Sequence, residues 1–130
     1  MSDRIETKPF FETTAVAHLA TLMRDGSPQS TPIWVDVDGE RLVFFTEVDT
    51  LKDRNLRRDP RVAISVTGAE NPYSMAFVRG EAVGRLEGDE ALPYVDRISH
   101  LYEGRPYGMR EGLAVWFIEP RKVWSRTYED

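Results

Sequence analysis

The segment YSMAFVRGEAVGRLEG, residues 73–88, is the strongest constraint on the fold of this chain. Its apolar and β-branched residues predict a β-strand, and the segment is far longer than the usual strand of about five or six residues. Gly80 and Gly84 lie inside it, and glycine within a strand typically marks a bend or a β-bulge. Because curved barrels need such bends, the segment predicts a closed or half-split β-barrel.

Further strand segments lie on both sides of this one, separated by turn signals. Asp25-Gly26 and Asp38-Gly39 are turn dipeptides in which glycine accepts a positive φ, and Asn71-Pro72 marks another turn. We expect residues 16–46 to form an antiparallel meander with Pro32 at an edge or a bulge. The other predicted strands are VAHLATL, QSTPIWVDV, RLVFFT, RVAISV, GLAVWFIEP and KVWSRTY, of which Pro120 separates the last two.

Two short helices are predicted between the strands. Thr50 is a candidate N-cap with Asp53 three residues further on, a rough capping box, and Pro60 ends this helix. Apolar residues at helical spacing predict a second helix from an N-cap at Asp89 to about Tyr102. The fold class is therefore mainly β, with six or seven antiparallel strands in a split barrel and short helices inserted.

Composition excludes several classes of protein. The chain has no cysteine, which excludes disulfides and thiolate metal sites, and its net charge of −5 argues against nucleic acid as a partner. No run of residues resembles a membrane span or a signal peptide, so we expect a cytoplasmic protein with no membrane contact. We expect residues 1–130 to form one domain. His18, expected in the core, and His100, expected at the surface, do not predict a metal site.

This acidic chain nevertheless gathers Lys52 and four arginines within ten residues, at the junction of a strand and a helix. Free main-chain amides at such a junction favour an anion. Thr46 and Thr50 supply hydroxyls nearby, and Lys52 and Asn55 are three residues apart, which places them on the same side of a short helix. Together these groups predict a phosphate cradle, with an ordinary solvated helix face as the alternative.

No catalytic constellation is visible in the sequence. A P-loop, a dinucleotide fingerprint and a nucleophile with a neighbouring base are all missing. The catalytic residues are therefore left unassigned, and any chemistry is expected to belong to a bound cofactor.

Three segments in their order along the chain resemble a known superfamily. LATLMRDGSPQSTPIWVDVDGERLVFFT, LKDRNLRRDPRVAISV and PYSMAFVRGEA are similar to the split β-barrels related to pyridoxamine 5'-phosphate oxidase. The pattern K-x-x-N-L-x-x-D-P-R-V and the segment ISHLYEGRPY resemble the branch that uses the deazaflavin coenzyme F-420. The resemblance implies an oxidoreductase that transfers hydride to or from a small conjugated organic molecule. Alternatives are an FMN-dependent oxidase or reductase, and a non-catalytic split barrel that binds flavin or haem.

The same resemblance implies a homodimer with cofactor sites at the interface, and it implies the residues of each site. The phosphate end of the cofactor would be held by Thr46, Thr50, Lys52 and Asn55. The tricyclic ring would be bordered by Gln29, Ser30, Thr31 and Pro32. Trp34 and Tyr73 would shape the walls or the dimer seam, and the remaining arginines would meet the acidic tail that F-420 carries and FMN lacks. Tyr107 or a bound water is the candidate proton donor.

Overall fold

The computed structural model describes residues 8–128. Its seven strands are β1 (Ala17–Leu22), β2 (Pro28–Ile33), β3 (Val35–Asp38), β4 (Arg41–Glu47), β5 (Arg61–Thr67), β6 (Ser74–Glu87) and β7 (Leu113–Thr127). Its helices are α1 (Leu51–Arg58) and α2 (Leu92–Glu103), and 3-10 turns cover Lys8–Phe11 and Gly88–Glu90. The predicted mainly β fold with six or seven antiparallel strands is therefore confirmed.

The seven strands form one antiparallel sheet in the order β2-β1-β5-β6-β7-β4-β3. Its two edge strands, β2 and β3, are joined by the single residue Trp34. Consecutive Cα atoms lie only about 3.8 Å apart, so the two edges of the sheet must meet at Trp34 and the sheet must curl into a barrel. Since β2 and β3 do not pair with each other, the barrel stays split along this line.

The predicted pairings of the meander over residues 16–46 are confirmed, but its middle strand is divided and its outer strands have further partners. β1 pairs with β2 and β3 pairs with β4, but β1 also pairs with β5, and β4 with β7. The segment QSTPIWVDV, expected as one strand, is two strands that are separated at Trp34. Turn dipeptides identify neighbouring strands, whereas the distant partners of β1 and β4 depend on closure of the whole sheet.

The two glycines of β6 mark bends, as predicted. The β6–β7 ladder shifts register next to Gly80 and again next to Gly84. A Cβ atom on Gly80 would lie 2.3 Å from the carbonyl oxygen of Glu119, so this close approach requires glycine. β7 runs through Pro120 as one strand, and the prediction of two strands is wrong. The register shift opposite Gly80 accommodates the missing amide of Pro120.

The first helix starts where it was predicted, with Thr50 in the N-cap position, whereas the start of the second helix differs from the predicted one. The Thr50 hydroxyl does not cap α1; it hydrogen-bonds the Thr46 hydroxyl instead, at 2.8 Å. The Asp53 carboxylate does reach back, but it accepts the amide of Asp49, at 2.9 Å. α2 begins after a 3-10 turn, so Asp89 is not its N-cap. The predicted helices are correct in place, and their capping contacts are not.

Apolar side chains form two clusters on the two sides of the sheet. The first fills the barrel and includes Leu19, Phe44, Ile64, Val78, Trp116 and Ile118. The second packs α2 against the outer faces of β4 and β7 and includes Val43, Val95, Ile98, Val115 and Phe117. Strand alternation places His18 outward, where it is exposed, so its predicted place in the core is wrong. His100 is exposed on α2, as expected.

In residues 8–128, neither helix has the length and apolar character needed to cross a membrane.

Candidate functional site

A cavity of about 450 Å³ lies where the split of the barrel meets the first turn of α1. The ends of β2 and β4, the residue Trp34, the start of α1 and the loop at residues 104–112 all contribute to its lining. One end of the cavity is polar, with Thr46, Glu47, Thr50 and Lys52. The rest is mainly apolar or aromatic. Drug-sized ligands and cofactors occupy cavities of this order of volume, about 300–1,000 Å³.

The aromatic wall consists of three side chains in edge-to-face contact: Trp34, Phe45 and Tyr107. The ring centroids of Phe45 and Tyr107 lie 4.8 Å apart, and those of Trp34 and Tyr107 lie 6.3 Å apart. Behind this wall, Trp34 stacks on Tyr102 at 5.1 Å with ring planes 8° apart. Such contacts fix the orientation of the rings, so the wall is ordered before any ligand arrives.

Tyr102 anchors this wall to the barrel. Its hydroxyl accepts the Val35 amide at 3.1 Å and donates to the Ala15 carbonyl at 2.8 Å. Burial raises the pKa of Tyr102, although the hydrogen bond to Val35 acts in the opposite direction. The hydroxyl therefore makes its hydrogen bonds within the protein, and the Tyr102 ring stacks against Trp34.

Lys52 provides positive charge at the polar end of the cavity. Its side chain is half-buried, and within residues 8–128 its ammonium makes neither a hydrogen bond nor an ion pair. Burial lowers the pKa of Lys52, and the negative charge of Glu47 offsets part of that effect. A partly dehydrated ammonium with no partner, beside the Thr46 and Thr50 hydroxyls, is suited to bind an anion.

Asp53 holds the start of α1 in place. Its carboxylate is fully buried and accepts hydrogen bonds from Arg85 (3.0 and 2.9 Å), the Trp116 indole (2.8 Å) and the Asp49 amide (2.9 Å). Burial acts to raise the pKa of Asp53, but these hydrogen bonds outweigh it, so the pKa lies below its usual range. The carboxylate also fixes Asp49, whose φ of 68° is left-handed. Asp53 thus positions the turn that carries Thr50 and Lys52.

The other basic residues of the cluster have different roles. Arg57, Arg58 and Arg61 all bind acidic or main-chain groups of the protein itself. Arg54 is exposed, and its guanidinium makes no hydrogen bond or ion pair with the part of the chain that the structure describes. Three of the four arginines are therefore structural, whereas Lys52 and Arg54 are available to a ligand.

The structure brings together four of the eight predicted site residues. These cavity-lining residues are Pro32, Thr46, Thr50 and Lys52. Asn55 is separated from them, because its side chain is buried and its amide donates to the Thr21 hydroxyl of β1 at 3.0 Å. Asn55 and Lys52 thus contact different neighbours, and Asn55 attaches α1 to β1 rather than lining the cavity.

The remaining predicted residues lie along β2, away from the cavity lining. Gln29 and Thr31 alternate inward, and the carbonyl oxygen of the Gln29 amide accepts the Thr21 hydroxyl at 3.4 Å. Ser30 points to the outer face, where it borders a separate groove of about 240 Å³. Tyr73, predicted in the wall of the site or in the dimer seam, is 55% exposed and does not line the cavity.

Sequence reasoning missed several lining residues. Phe45 and Glu47 flank Thr46 at the end of β4, and all three line the cavity although strand alternation gives neighbouring residues opposite faces. A strand end that projects past its neighbours can expose both faces to one cavity, and no local pattern predicts that. Asp53 was predicted only as a capping residue. Its partners Arg85 and Trp116 lie more than thirty positions away, so no local pattern indicates them.

Across residues 8–128, His, Asp and Glu side chains form no cluster of metal-binding size.

The fold and the cavity define a split β-barrel protein with a candidate binding site at the split. The family model of pyridoxamine 5'-phosphate oxidase matches residues 4–127, and the chain belongs to this family. Proteins with this fold typically bind flavin.

Solved structures support the same placement. A protein named F420 reductase is 28% identical, with a TM-score of 0.79 over 89% of this chain and 94% of that one. The conserved hypothetical protein Rv2991 from Mycobacterium tuberculosis is 25% identical, with a TM-score of 0.80 over 95% of this chain and 83% of that one. A putative pyridoxamine 5'-phosphate oxidase from Listeria innocua shares the fold at 19% identity, with a TM-score of 0.73 and 98% of both chains covered.

Proposed function

We propose that this protein is an oxidoreductase that uses coenzyme F-420 to transfer hydride to or from a small conjugated organic molecule. The observation that carries the proposal is the half-buried ammonium of Lys52, which has no partner within residues 8–128 and lies at one end of an aromatic-walled cavity. A planar ring with a phosphate-bearing chain has the matching chemistry, because its ring suits the aromatic wall and its phosphate suits the ammonium.

The residues present fit such a cofactor. Lys52 with the hydroxyls of Thr46 and Thr50 would hold the phosphate, and the aromatic wall would border the ring. When bound, the deazaflavin supplies the hydride chemistry. The chain itself binds and orients the reactants and excludes water from the apolar part of the cavity.

Two observations support F-420 over FMN as the cofactor. The F420 reductase structure resembles this chain over nearly its whole length. In addition, Arg54, two residues after Lys52 on α1, is exposed with no partner in the described residues, so it is available to an acidic tail. FMN is the second candidate, because the chain belongs to the pyridoxamine 5'-phosphate oxidase family.

We also propose that the protein is a homodimer. Phe77 and Trp124 stack on the outer face of β6 and β7, with centroids 5.1 Å apart, and Trp124 is 36% exposed. The groove beside them is lined by small residues such as Ala20, Ala63 and Ser65. An outer face with two aromatic rings and a small-residue groove suits a second copy of the chain. Light scattering at micromolar concentration should give the mass of a dimer, and the mass of a monomer would refute this.

Fluorescence titration of F-420 and FMN against the parent and two variants tests the proposed cofactor site. F-420 should bind the parent more tightly than FMN. Lys52→Ala should weaken both by roughly ten- to a hundredfold, because a charge-assisted contact is worth about 1.5–3 kcal/mol. Arg54→Ala is the matched control: it removes the same charge from α1 without touching the cavity, and it should leave FMN binding unchanged.

Each outcome bears on one part of the proposal. Equal or tighter binding of FMN would refute the deazaflavin assignment. Parent-like binding by Lys52→Ala would refute the phosphate site. If Arg54→Ala weakens F-420 but not FMN, the acidic tail passes along this face of α1.

A further inference from the structure

The loop at residues 104–112 carries Tyr107 into the aromatic wall. It joins α2 to β7 and has glycines at both ends, Gly104 and Gly112, with φ values of 74° and 72°. A third glycine, Gly108, follows Tyr107 directly and has open space around it. Three glycines in nine residues give a main chain with many accessible conformations, so something must hold the tyrosine in place.

An ion pair between Asp96 of α2 and Arg110 of the loop performs that task. The two side chains make paired hydrogen bonds of 2.7 and 3.0 Å. Asp96 also accepts the amide of Tyr107 at 3.2 Å, and Arg110 donates to the Tyr107 carbonyl at 3.1 Å. Both peptide groups of Tyr107 are thus fixed by one pair of charges.

The structure describes all of residues 106–111. Every main-chain hydrogen bond in this segment is made with Asp96 or Arg110. Further main-chain hydrogen bonds lie at the two ends of the loop. The Gly104 amide donates to the His100 carbonyl at 3.0 Å, Ser99 donates to the Arg105 carbonyl at 2.7 Å, and the Val48 amide donates to the Gly112 carbonyl at 2.8 Å. Both members of the pair are partly exposed, at 47% for Arg110 and 26% for Asp96. Ion pairs of that exposure add little to global stability. The main effect of this pair is therefore expected on the position of the loop, whose main chain it hydrogen-bonds.

We propose that Asp96 and Arg110 are positioning residues, which clamp the main chain around Tyr107 and hold its ring in the wall of the cavity. Within the described residues, the Tyr107 hydroxyl makes no hydrogen bond, in contrast to that of Tyr102. The half-buried Tyr107 therefore lines the cavity with a hydroxyl that has no partner in residues 8–128. The consequence for ligand binding rests on the proposed function.

The test compares Arg110→Gln with Arg97→Gln. Arg97 is a matched control, because it also makes an ion pair on α2, with Asp36 at 3.1 Å, at a similar exposure of 44%. Titration with F-420 should show affinity reduced by about two- to tenfold for Arg110→Gln, the range that one aromatic contact contributes, and unchanged affinity for Arg97→Gln. Melting temperatures of both variants should stay close to that of the parent.

Two further measurements separate positioning from a merely structural effect. In a Tyr107→Ala background, Arg110→Gln should cause no further loss of F-420 affinity, because the group that it positions is gone. Hydrogen exchange measured on the peptide 104–112 should be faster in Arg110→Gln than in the parent, with α2 unchanged.

Parent-like F-420 binding by Arg110→Gln, or an equal loss in both backgrounds, would overturn the inference. Failure of the proposed function is distinguishable, because it shows in the parent, which would then bind neither compound or would bind FMN at least as tightly as F-420. In that case hydrogen exchange still decides whether the pair holds the loop, and unchanged exchange would overturn the clamp.

Discussion

Replacing Asp53 by asparagine removes the charge that holds α1 to the barrel while keeping the shape of the side chain. The change leaves Arg85 without its main anionic partner, although the side chain of Arg85 is only 19% exposed. It also weakens the acceptor for the Trp116 indole and the Asp49 amide. Loss of one member of a buried ion pair typically costs about 3–5 kcal/mol. We expect a loss near the lower bound, roughly 3 kcal/mol, because Glu87 still pairs with Arg85.

Urea denaturation at pH 7, followed by tryptophan fluorescence, measures this loss as a difference in the free energy of unfolding. Asp59→Asn is the matched control, since Asp59 also pairs with an arginine, Arg61, but at the surface. Its pKa is lowered to about 2, mainly by the Arg61 hydrogen bond. We expect its loss to be well below that of Asp53→Asn. Similar losses for the two variants would refute the claim that burial makes the Asp53 network important.

The effect of Asp53 on stability should depend on pH with a defined sign. Because its pKa in the folded state lies below the unfolded value of about 4, Asp53 stabilises the fold above that pH. This contribution is lost as the pH falls through the folded pKa. The difference in unfolding free energy between the parent and Asp53→Asn should therefore be full at pH 7 and shrink below about pH 4. A difference that stays constant down to pH 2 would show that the charge of Asp53 is not responsible.

Two further predictions concern single side chains. Lys52→Met should be at least as stable as the parent in urea at pH 7, because the folded state disfavours the charged lysine. The difference in unfolding free energy should vanish above the unfolded pKa of about 10.4. A variant less stable than the parent at pH 7 would contradict this. Gly80→Ala should lower the free energy of unfolding by roughly 1–3 kcal/mol in the same assay, because the new Cβ would lie 2.3 Å from the main chain. Gly84→Ala should lower it less, because its Cβ would lie 3.4 Å from the Phe117 ring. Equal losses for the two variants would contradict this.

The elements of the fold were predictable because their signals are local. The length and glycines of β6, the turn dipeptides and the proline after α1 each depend on residues close in sequence. The pairing of β1 with β5 and of β4 with β7 was not predictable, since it follows from closure of the sheet at Trp34. Trp34 itself has an ordinary strand sequence around it, and only the topology shows that it joins the two edges of the barrel.

The candidate site was predictable in part for the same reason. Thr46, Thr50 and Lys52 are close in sequence, so one strand–helix junction brings them together. Asn55 was assigned to the same group by its spacing, but α1 lies between the cavity and β1, and residues three apart on it contact different neighbours. Tyr107 lies on the loop after α2, and the main chain of Tyr107 is hydrogen-bonded by Asp96 and Arg110, which are fourteen positions apart. Such a contact has no local sequence signal.

The central claim is that Lys52 binds the phosphate of a ring-bearing cofactor, and a two-by-two titration tests it most directly. 5-Deazariboflavin and its 5'-phosphate share one ring and differ only in the phosphate. The parent should bind the phosphorylated compound more tightly by about ten- to a hundredfold, and Lys52→Ala should bind the two compounds almost equally. Equal affinities in the parent, or a phosphate preference that survives in Lys52→Ala, would contradict the claim.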